Sequence, residues 1–372
     1  MLYEQKWSTS SHDVNSANYY FLQLQAVAFN IAIGSRPDYP TFYINGASEP
    51  NVFSWGIPPA DFKYRYAVLD GLRRYRLWGK RGTSCFVDFQ LFSRFLGSPG
   101  GSRLSNLDLD QVTKADGTFE VFIGAHEEFA LDPESRSNMI LGRECFLDWE
   151  SEKAAEVHIE IADDKGIGSV VISEERLGEK LKDALAFVKF VISQFAIMNN
   201  DGVISGSKSN EFFLDAFGQN AGGAGNPVAI YPSMIYDITE EDALIIEWDI
   251  PASCKYWGIQ ISDIWHQVTD YIYHQSGLNS HQAFIGGDGK FRAVLSLRDP
   301  GISNWLDPVA ISHGFVICRF YQLQGSVLPI SRKVLFEDLT NELPADTLRV
   351  TPEQRKASIA RRTELLRTRY GY

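Results

Sequence analysis

The stretch from Asp263 to Asp307 holds the densest run of side chains able to do chemistry. A histidine beside a carboxylate can accept and return a proton near neutral pH, because imidazole changes charge there. His281 is the strongest candidate, since no turn requires a residue of its type at that place. The reactive and polar members of the run are Asp263, His266, Tyr271, Tyr273, His274, Asn279, His281, Gln282, Asp288, Asp299, Asn304, Trp305 and Asp307.

Several members of this run have predicted roles in catalysis or binding. His281 is expected to act as general acid and base, with Asp299 or Asp307 as its orienting partner. Tyr273 is expected to donate a hydrogen bond to an oxyanion. The predicted substrate-binding residues are Trp257 and Trp305 as apolar walls and Asn279, Gln282 and Asn304 as polar contacts. A structural interpretation stands beside each role, because Asp288-Gly289 and Asp299-Pro300-Gly301 are typical of turns.

A basic and aromatic run further upstream could recognise an anionic group on a substrate. It reads Arg73-Arg74-Tyr75-Arg76 and is followed by Trp78. In a strand, alternation places Arg74, Arg76 and Trp78 on one face. We predict that Arg76 binds substrate, while a solvent-exposed strand face explains the same pattern.

No established catalytic or cofactor signature occurs in the sequence. It has no nucleophile elbow, P-loop, zinc-protease motif or dinucleotide fingerprint. The four cysteines are far apart and lack CxxC spacing, which excludes zinc fingers and redox motifs of that type. Asp263, His266, Asp299 and His313 are suitable metal ligands, but their spacing matches no known cage. We therefore predict neither a cofactor nor a metal.

Three predicted helices must help to position these residues. Residues 15–33 carry apolar side chains at helical spacing. Ser173 is a predicted cap for a second helix over 173–198. The segment from Thr351 to Gln354 reads as a capping box with proline in the first turn, and it opens a third helix over 352–369.

Most of the remaining chain is predicted as strands separated by turn signals. Residues 157–161 alternate strictly between apolar and polar side chains, as a half-buried strand does. Further candidate strands are 86–92, 119–123, 243–248, 257–261, 292–297 and 315–320. No regular alternation of strands and helices occurs, which disfavours a doubly wound parallel sheet. The prediction is a mainly β protein of the α+β class, with an antiparallel jelly-roll-like sandwich in its C-terminal half.

The sequence divides into three predicted parts. Residues 1–229 form an N-terminal α+β domain, residues 230–350 a jelly-roll-like β domain, and residues 351–372 a basic C-terminal helix. The chain of 372 residues carries a net charge of −12, whereas the part from Glu353 onward carries +4. A basic helix can dock on its own acidic body or on a second subunit, so a homo-oligomer through this helix is expected.

Composition limits the partners and the location. Hydrophobic residues make up 44% of the chain and charged residues 22%, which is typical of a globular protein. The negative charge repels phosphate groups, so neither nucleic acid nor an anionic membrane is an expected partner. The apolar stretch from Ala26 to Ile33 is too short to span a bilayer. The N-terminus lacks a secretory pattern, and a cytoplasmic protein is therefore expected.

Short motifs in the C-terminal half follow a specific order. They are Trp257-Gly258, Leu278-Asn279-Ser280-His281-Gln282-Ala283, Asp288-Gly289, Asp299-Pro300-Gly301 and Asn304-Trp305-Leu306-Asp307. This block, about residues 240–325, resembles a bacterial family of uncharacterised proteins called domain of unknown function twelve-fourteen. Longer members show a weaker similarity at Tyr75, Arg76, Gly79, Arg81-Gly82-Thr83 and Phe89-Gln90. Pro308 and His313-Gly314 depart from the family pattern.

The resemblance implies a fold but assigns no reaction. It implies a β-rich, jelly-roll-like C-terminal half, in agreement with the predicted strands. It also implies that Asn279, His281, Asp299, Asn304, Trp305 and Asp307 matter together, either for chemistry or as a polar network.

Two functions are compatible with these residues. The first is an enzyme that acts on a small, largely apolar organic molecule by cofactor-independent acid–base chemistry, as in dehydration, isomerisation or lyase reactions. The alternative is a non-catalytic carbohydrate-binding module. An enzyme is expected to bury His281 beside a carboxylate in an enclosed pocket, whereas a binding module is expected to show aromatic faces on an open groove.

Overall fold

The computed structural model describes residues 10–45, 55–163, 172–193, 208–214 and 225–370. The N-terminal half contains a sandwich of two sheets. Its five-stranded sheet has the order β1-β2-β7-β4-β5, and its three-stranded sheet has the order β6-β3-β8. The strands are β1 (Tyr43–Asn45), β2 (Phe62–Leu69), β3 (Tyr75–Lys80), β4 (Phe86–Phe92), β5 (Arg103–Asp108), β6 (Thr118–Ile123), β7 (Asn138–Cys145) and β8 (Glu156–Ile161).

This N-terminal sandwich was not predicted as such, for a physical reason. Its central strand β7 was missed because every residue of β7 is buried, so this strand shows no alternation in the sequence, whereas the equally buried β4 is among the predicted strands. β8 has one exposed face, and its alternating burial confirms the strand predicted at 157–161. The apolar side chains of Leu77, Phe89 and Phe119 pack between the two sheets.

The C-terminal half forms the predicted antiparallel sandwich. One sheet has the order β14-β13-β17-β11-β9, with β10 paired to β17, and the other has the order β16-β15-β12-β18. β15 and β16 are a parallel pair within this sandwich. The strands are β9 (Phe213–Leu214), β10 (Ala229–Ile230), β11 (Pro232–Asp237), β12 (Asp242–Asp249), β13 (Tyr256–Asp263), β14 (Gly277–Asn279), β15 (Lys290–Leu295), β16 (Trp305–Leu306), β17 (His313–Tyr321) and β18 (Ile330–Leu335).

All six further candidate strands are strands in the structure. The one predicted at 292–297 lies at 290–295, two residues earlier, and the other five match within two residues at each end. The α+β class and the antiparallel sandwich are therefore confirmed.

The three predicted helices are confirmed with shifted ends. The first, α1 (Ser11–Ala28), begins earlier than predicted because Ser10 forms a capping box with Asp13, and it continues as a π-helix to Ile33. α3 (Glu174–Phe190) is capped by Ser173 as predicted, and part of the predicted extension, 194–198, lies outside the described residues. The remaining helices are α2 (Leu109–Val112), a 3₁₀ turn (Phe336–Asp338), α4 (Leu339–Glu342) and α5 (Pro352–Tyr370).

A single apolar core joins the two sandwiches to α1, α3 and α5. Phe62 on β2 lies edge-on to Tyr256 on β13, with ring centroids 5.2 Å apart, and also contacts Tyr321 on β17. Leu366 of α5 is completely buried in the same core. The domain boundaries at 229/230 and 350/351 stay a prediction.

The basic helix α5 lies on the body of its own chain. Arg355 forms an ion pair with Asp299 at 3.0 Å, and Arg361 forms one with Glu150 at 3.0 Å. Across the described segments, we find no helix with both the length and the apolarity needed to cross a bilayer.

Candidate functional site

A polar groove lies where the two sandwiches and α5 meet, and we call it the junction groove. It has a volume of about 480 Å³. Three separate segments line it: the loop 148–151 after β7, the segment 275–282 around β14, and residues 350–365 in and before α5, joined by Ser303. Its polar lining includes Asp148, Gln275, His281, Gln282, Gln354 and Arg355.

His281 and Asp148 face each other across this groove. The imidazole Nε2 lies 3.8 Å from a carboxylate oxygen of Asp148. The side chain of His281 is 57% exposed and that of Asp148 is 30% exposed, so the pair is in contact with solvent. Hydrogen bonds from the Ser151 hydroxyl and from the backbone N–H groups of Glu150 and Ser151 lower the pKa of Asp148.

Asn279 shapes the turn that carries His281. Its side-chain oxygen accepts hydrogen bonds from the backbone N–H groups of His281 and Gln282, each at 3.0 Å. Its amide nitrogen donates to Asp61 at 2.6 Å and to the carbonyl of Leu147 at 3.2 Å. Asn279 therefore fixes the His281 turn against the loop that carries Asp148.

Asp61 is the buried centre of this arrangement. Besides Asn279, it accepts a hydrogen bond from the indole N–H of Trp149 at 2.9 Å and one from the hydroxyl of Tyr256 at 2.8 Å. Burial raises the pKa of Asp61, and these three donors oppose that effect. The network links β2, the 148–151 loop, β13 and β14 beneath the groove.

Arg355, Arg361 and Arg362 of α5 line the opposite wall, and Arg369 lies outside the lining. Arg362 and Arg369 stack on Trp149, with each guanidinium carbon within 5 Å of the ring centroid. Burial lowers the pKa of Arg362 to about 10. Arg355 donates to Asp299 at 3.0 Å and also approaches the side-chain oxygen of Gln275 at 3.4 Å.

The carboxylates proposed as partners of His281 have other partners. Asp299 binds Arg355, as described. Asp307 lies 2.7 Å from Nδ1 of His274, and its other oxygen accepts a hydrogen bond from the backbone of Val309. In the structure the carboxylate that faces His281 is Asp148.

Tyr273 and the two predicted tryptophan walls do not line the junction groove. Tyr273 is 52% exposed and accepts a hydrogen bond from Arg367 beside a different surface of α5. Trp257 is buried in the C-terminal sandwich, where it packs edge-on against Trp248. Trp305 is buried, and its indole N–H donates to the carbonyl of Ser296 at 3.0 Å.

Asn304 and Arg76 also lie elsewhere. The buried amide of Asn304 bonds the backbone carbonyls of Phe284 and Arg292 at 2.7 and 2.8 Å. Arg76 lies on the outer face of β3, as the alternation indicates, and forms ion pairs with Glu120 and Glu160. Of the predicted site residues, the structure brings together His281, Gln282 and the supporting Asn279. Asp299 is connected to the groove by its ion pair with Arg355.

The residues that the sequence did not reveal are Asp148, Gln275 and the arginines of α5. Asp148-Trp149-Glu150 matches no catalytic motif, and the tail was recognised only by its charge. Among the described residues, no group of three or more His, Cys, Asp or Glu side chains could hold a metal ion.

Together, the fold and the groove define a mainly β protein of two sandwiches with a helix-walled polar groove. A solved structure with this architecture is that of an uncharacterized protein from Burkholderia cenocepacia, with a TM-score of 0.78 and 23% identity over 88% of this chain and 91% of that chain. The VPA0106 protein from Vibrio parahaemolyticus aligns with a TM-score of 0.48 and 12% identity over 86% of this chain and 98% of that chain. At these identities the first likeness shows the fold alone. No family model and no curated protein matches the chain.

Proposed function

We propose that the protein binds a small neutral molecule rich in hydroxyl groups, such as a sugar or a polyol, in the junction groove. The main support is the convergence of donors and acceptors from three distant segments on one groove of ligand-sized volume. Carboxylate, amide and guanidinium groups in one lining match the paired donor and acceptor character of hydroxyl groups. The sequence predicts a largely apolar substrate, whereas this polar lining favours a hydroxylated one.

The charges of the groove favour a neutral ligand. Arg355 is paired with Asp299, Arg361 with Glu150, and His281 faces Asp148, while the buried Arg362 donates to the carbonyl of Tyr271 and lies over the ring of Trp149. Cations that already have carboxylate partners offer little to an additional anion. This balance is the reason to expect recognition by hydrogen bonds rather than by ion pairing.

A thermal-shift panel tests this proposal. Neutral sugars and polyols are compared with apolar alcohols of similar size, and a ligand at roughly a hundred times its Kd adds about 2.7 kcal/mol to the free energy of unfolding. We expect a hydroxylated compound to raise the Tm of the native protein. His281→Ala should lose this rise.

The matched control is His158→Ala. His158 is an exposed histidine beside Glu156, at 3.0 Å, on the outer face of the N-terminal sandwich. This variant should respond to the compound as the native protein does. A panel without any response, or an equal response in His281→Ala, would contradict the proposal.

Acid–base catalysis on the bound molecule is a second candidate, because His281 and Asp148 form a titratable pair that faces the groove. Dehydration, isomerisation or lyase chemistry needs no cofactor in this scheme. The exposure of His281 disfavours it, since solvent weakens electrostatic stabilisation of a transition state. Incubation of the protein with the best ligand, followed by mass spectrometry and NMR, distinguishes the two functions. A product that is lost in His281→Ala supports an enzyme, and an unchanged ligand supports the binding module.

A homo-oligomer through α5 and a cytoplasmic location are further proposals. The support is the positive charge of α5 against the negative charge of the rest of the chain, of which the ion pairs of Arg355 and Arg361 within the chain already use a part. The mass in solution of the full chain tests it, and a monomer at all concentrations would contradict it.

A further inference from the structure

The solvent-facing side of α5 carries charged residues in a palindromic arrangement. Its members are all exposed and follow one another at intervals of three, four, four and three residues, which places them along one face of the helix: Glu353, Lys356, Ala360, Glu364 and Arg367. Along the chain the order is acid, base, alanine, acid, base. In the reverse direction it is base, acid, alanine, base, acid, so a reversed copy of the face presents the opposite charge at each charged position.

The net positive charge of the tail lies on the other sides of this helix. Arg355 and Arg362 are buried against the body of the chain, and Arg361 is paired with Glu150. Arg369 donates to a backbone carbonyl of the body at 3.0 Å. The exposed face carries two acidic and two basic side chains and has no net charge. A second copy of this face is therefore not repelled by net charge.

The same face borders an open groove. The groove has a volume of about 730 Å³ and lies between α5 and Tyr273. Lys356, Ala360, Glu364 and Arg367 line it from the helix, and Arg367 donates to the hydroxyl of Tyr273 at 2.8 Å. The small side chain of Ala360 keeps the centre of the face low, so the backbone of another helix can approach it closely.

We propose that two copies of the chain associate through this face, with their α5 helices antiparallel and the two Ala360 residues at the crossing. The proposal rests on the proposed association through α5 and gives it a geometry. Lys356 then lies opposite the partner's Glu364, because each is four residues, or about 6 Å, from Ala360 along the axis. Glu353 lies opposite the partner's Arg367, each seven residues and about 10.5 Å away from the centre. Two-fold symmetry repeats each contact, which gives four ion pairs.

The charges select the orientation and the register of this pair. A parallel pair in register sets every charged side chain against its own kind, which is unfavourable. A shift of the antiparallel pair by one turn sets Lys356 against the uncharged Thr368 of the partner. Exposed ion pairs contribute more to specificity than to affinity. The affinity is therefore expected to come from covering Ala360 and Tyr273, which is 52% exposed in the single chain.

A charge exchange in the full chain tests the proposal. Sedimentation equilibrium at low salt over a series of concentrations should show the native protein in a monomer–dimer equilibrium. Lys356→Glu sets two acidic side chains against each other at two places, so the Kd of the dimer should rise by roughly tenfold or more. Adding Glu364→Lys to that variant restores the pairs with their charges exchanged and should return the Kd close to its native value.

The matched control is Lys182→Glu. Lys182 is an exposed lysine on α3, and its replacement makes the same change of charge away from α5. It should leave the Kd unchanged. An equal rise of the Kd in Lys182→Glu, no rise in Lys356→Glu, or a double variant as weak as Lys356→Glu would each overturn the antiparallel pair while leaving association through another surface standing. A native chain that is monomeric at every concentration would overturn both the pair and the proposed association.

Cysteine substitution tests the crossing point without changing any charge. Ala360→Cys should form a disulfide between the two copies under mild oxidation, because a residue faces itself only at the two-fold axis. Ser358→Cys is the control, since Ser358 is exposed on the side of α5 that lines the junction groove. Trypsin releases both positions in the same peptide, 357–361, so mass spectrometry compares the two yields directly. Equal yields in the two variants, or no cross-link in Ala360→Cys, would overturn the crossing at Ala360.

Discussion

Asp61 accepts hydrogen bonds from side chains on three different segments of the chain, namely Trp149, Tyr256 and Asn279. A buried donor that loses its acceptor costs about 1–3 kcal/mol. The shape of the junction groove therefore depends on a carboxylate that does not itself line the groove. Asn279 has the same kind of positioning role, because it holds both the turn of His281 and Asp61.

Replacing Asp61 tests this dependence. Asp61→Ala leaves the Trp149 indole and the Tyr256 hydroxyl without their acceptor and removes one acceptor of Asn279, so we expect a loss of roughly 3–5 kcal/mol in the free energy of unfolding. Urea titration followed by tryptophan fluorescence measures it. Asp249→Ala is the control, because the side chain of Asp249 is 84% exposed and its loss should change stability by less than about 0.5 kcal/mol. Equal effects of the two changes would show that the Asp61 network does not stabilise the junction.

Asp263 gives stability a predictable pH dependence. Burial raises its pKa to about 7, although the backbone N–H groups of Trp265 and Gln267 and the side chain of Gln267 donate to it. The folded state thus keeps a proton that the unfolded chain loses near pH 4, so this contribution is complete below pH 4 and is lost as pH rises through about 7.

The comparison of the native protein with Asp263→Asn isolates this contribution. Between pH 4 and pH 7, the unfolding free energy of the native protein should fall by about 4 kcal/mol relative to that of Asp263→Asn, because each pKa unit corresponds to about 1.4 kcal/mol. Urea titrations at a series of pH values measure it. A difference that stays constant across this range would contradict the assignment.

At the level of elements, local signals in the sequence were sufficient for the three predicted helices and for the seven predicted strands, but exposed strands such as β5 and β18 were missed. Ser173 and the Thr351–Gln354 box begin helices where they were expected, because caps depend on neighbouring residues only. β7, which is buried on both faces, lacks the alternation of a half-buried strand and was missed, although the equally buried β4 and β13 were predicted. The pairing of Asp148 with His281 depends on contact between distant segments, and no local pattern records it.

The cap of α5 links helix stability to the groove. Thr351 accepts a hydrogen bond from the backbone N–H of Gln354, and Thr351→Ala should cost about 1 kcal/mol. Because α5 forms one wall of the groove, the same change should weaken ligand binding. Ser173→Ala removes an equivalent cap from α3 and should cost a similar amount without affecting affinity. Calorimetric unfolding measures the stability of both variants, and ligand titration measures their affinity. An equal loss of affinity in both would contradict the dependence of binding on the α5 cap.

At the level of the whole molecule, one apolar core includes residues of both sandwiches and of three helices. Units that share their largest core are expected to unfold together. The composition of the chain indicated a large core but not which sheets share it.

Unfolding should therefore be a single transition. Differential scanning calorimetry of the native chain is expected to show one peak. Phe62→Ala removes a ring that packs against β13 and β17 from β2, and it should cost about 3–5 kcal/mol while keeping one peak at a lower Tm. Two separated peaks in the native protein would contradict the shared core.

Histidine-selective NMR tests the central claim most directly, since it locates the ligand without any substitution. The chain has seven histidines, and His281 is the one that lines the junction groove in the described structure. During titration with a sugar or polyol that stabilises the protein, the imidazole signals of His281 should shift and saturate, while those of His158 stay constant. Saturable binding that leaves the His281 signals unchanged would show that the ligand binds elsewhere and would contradict the account.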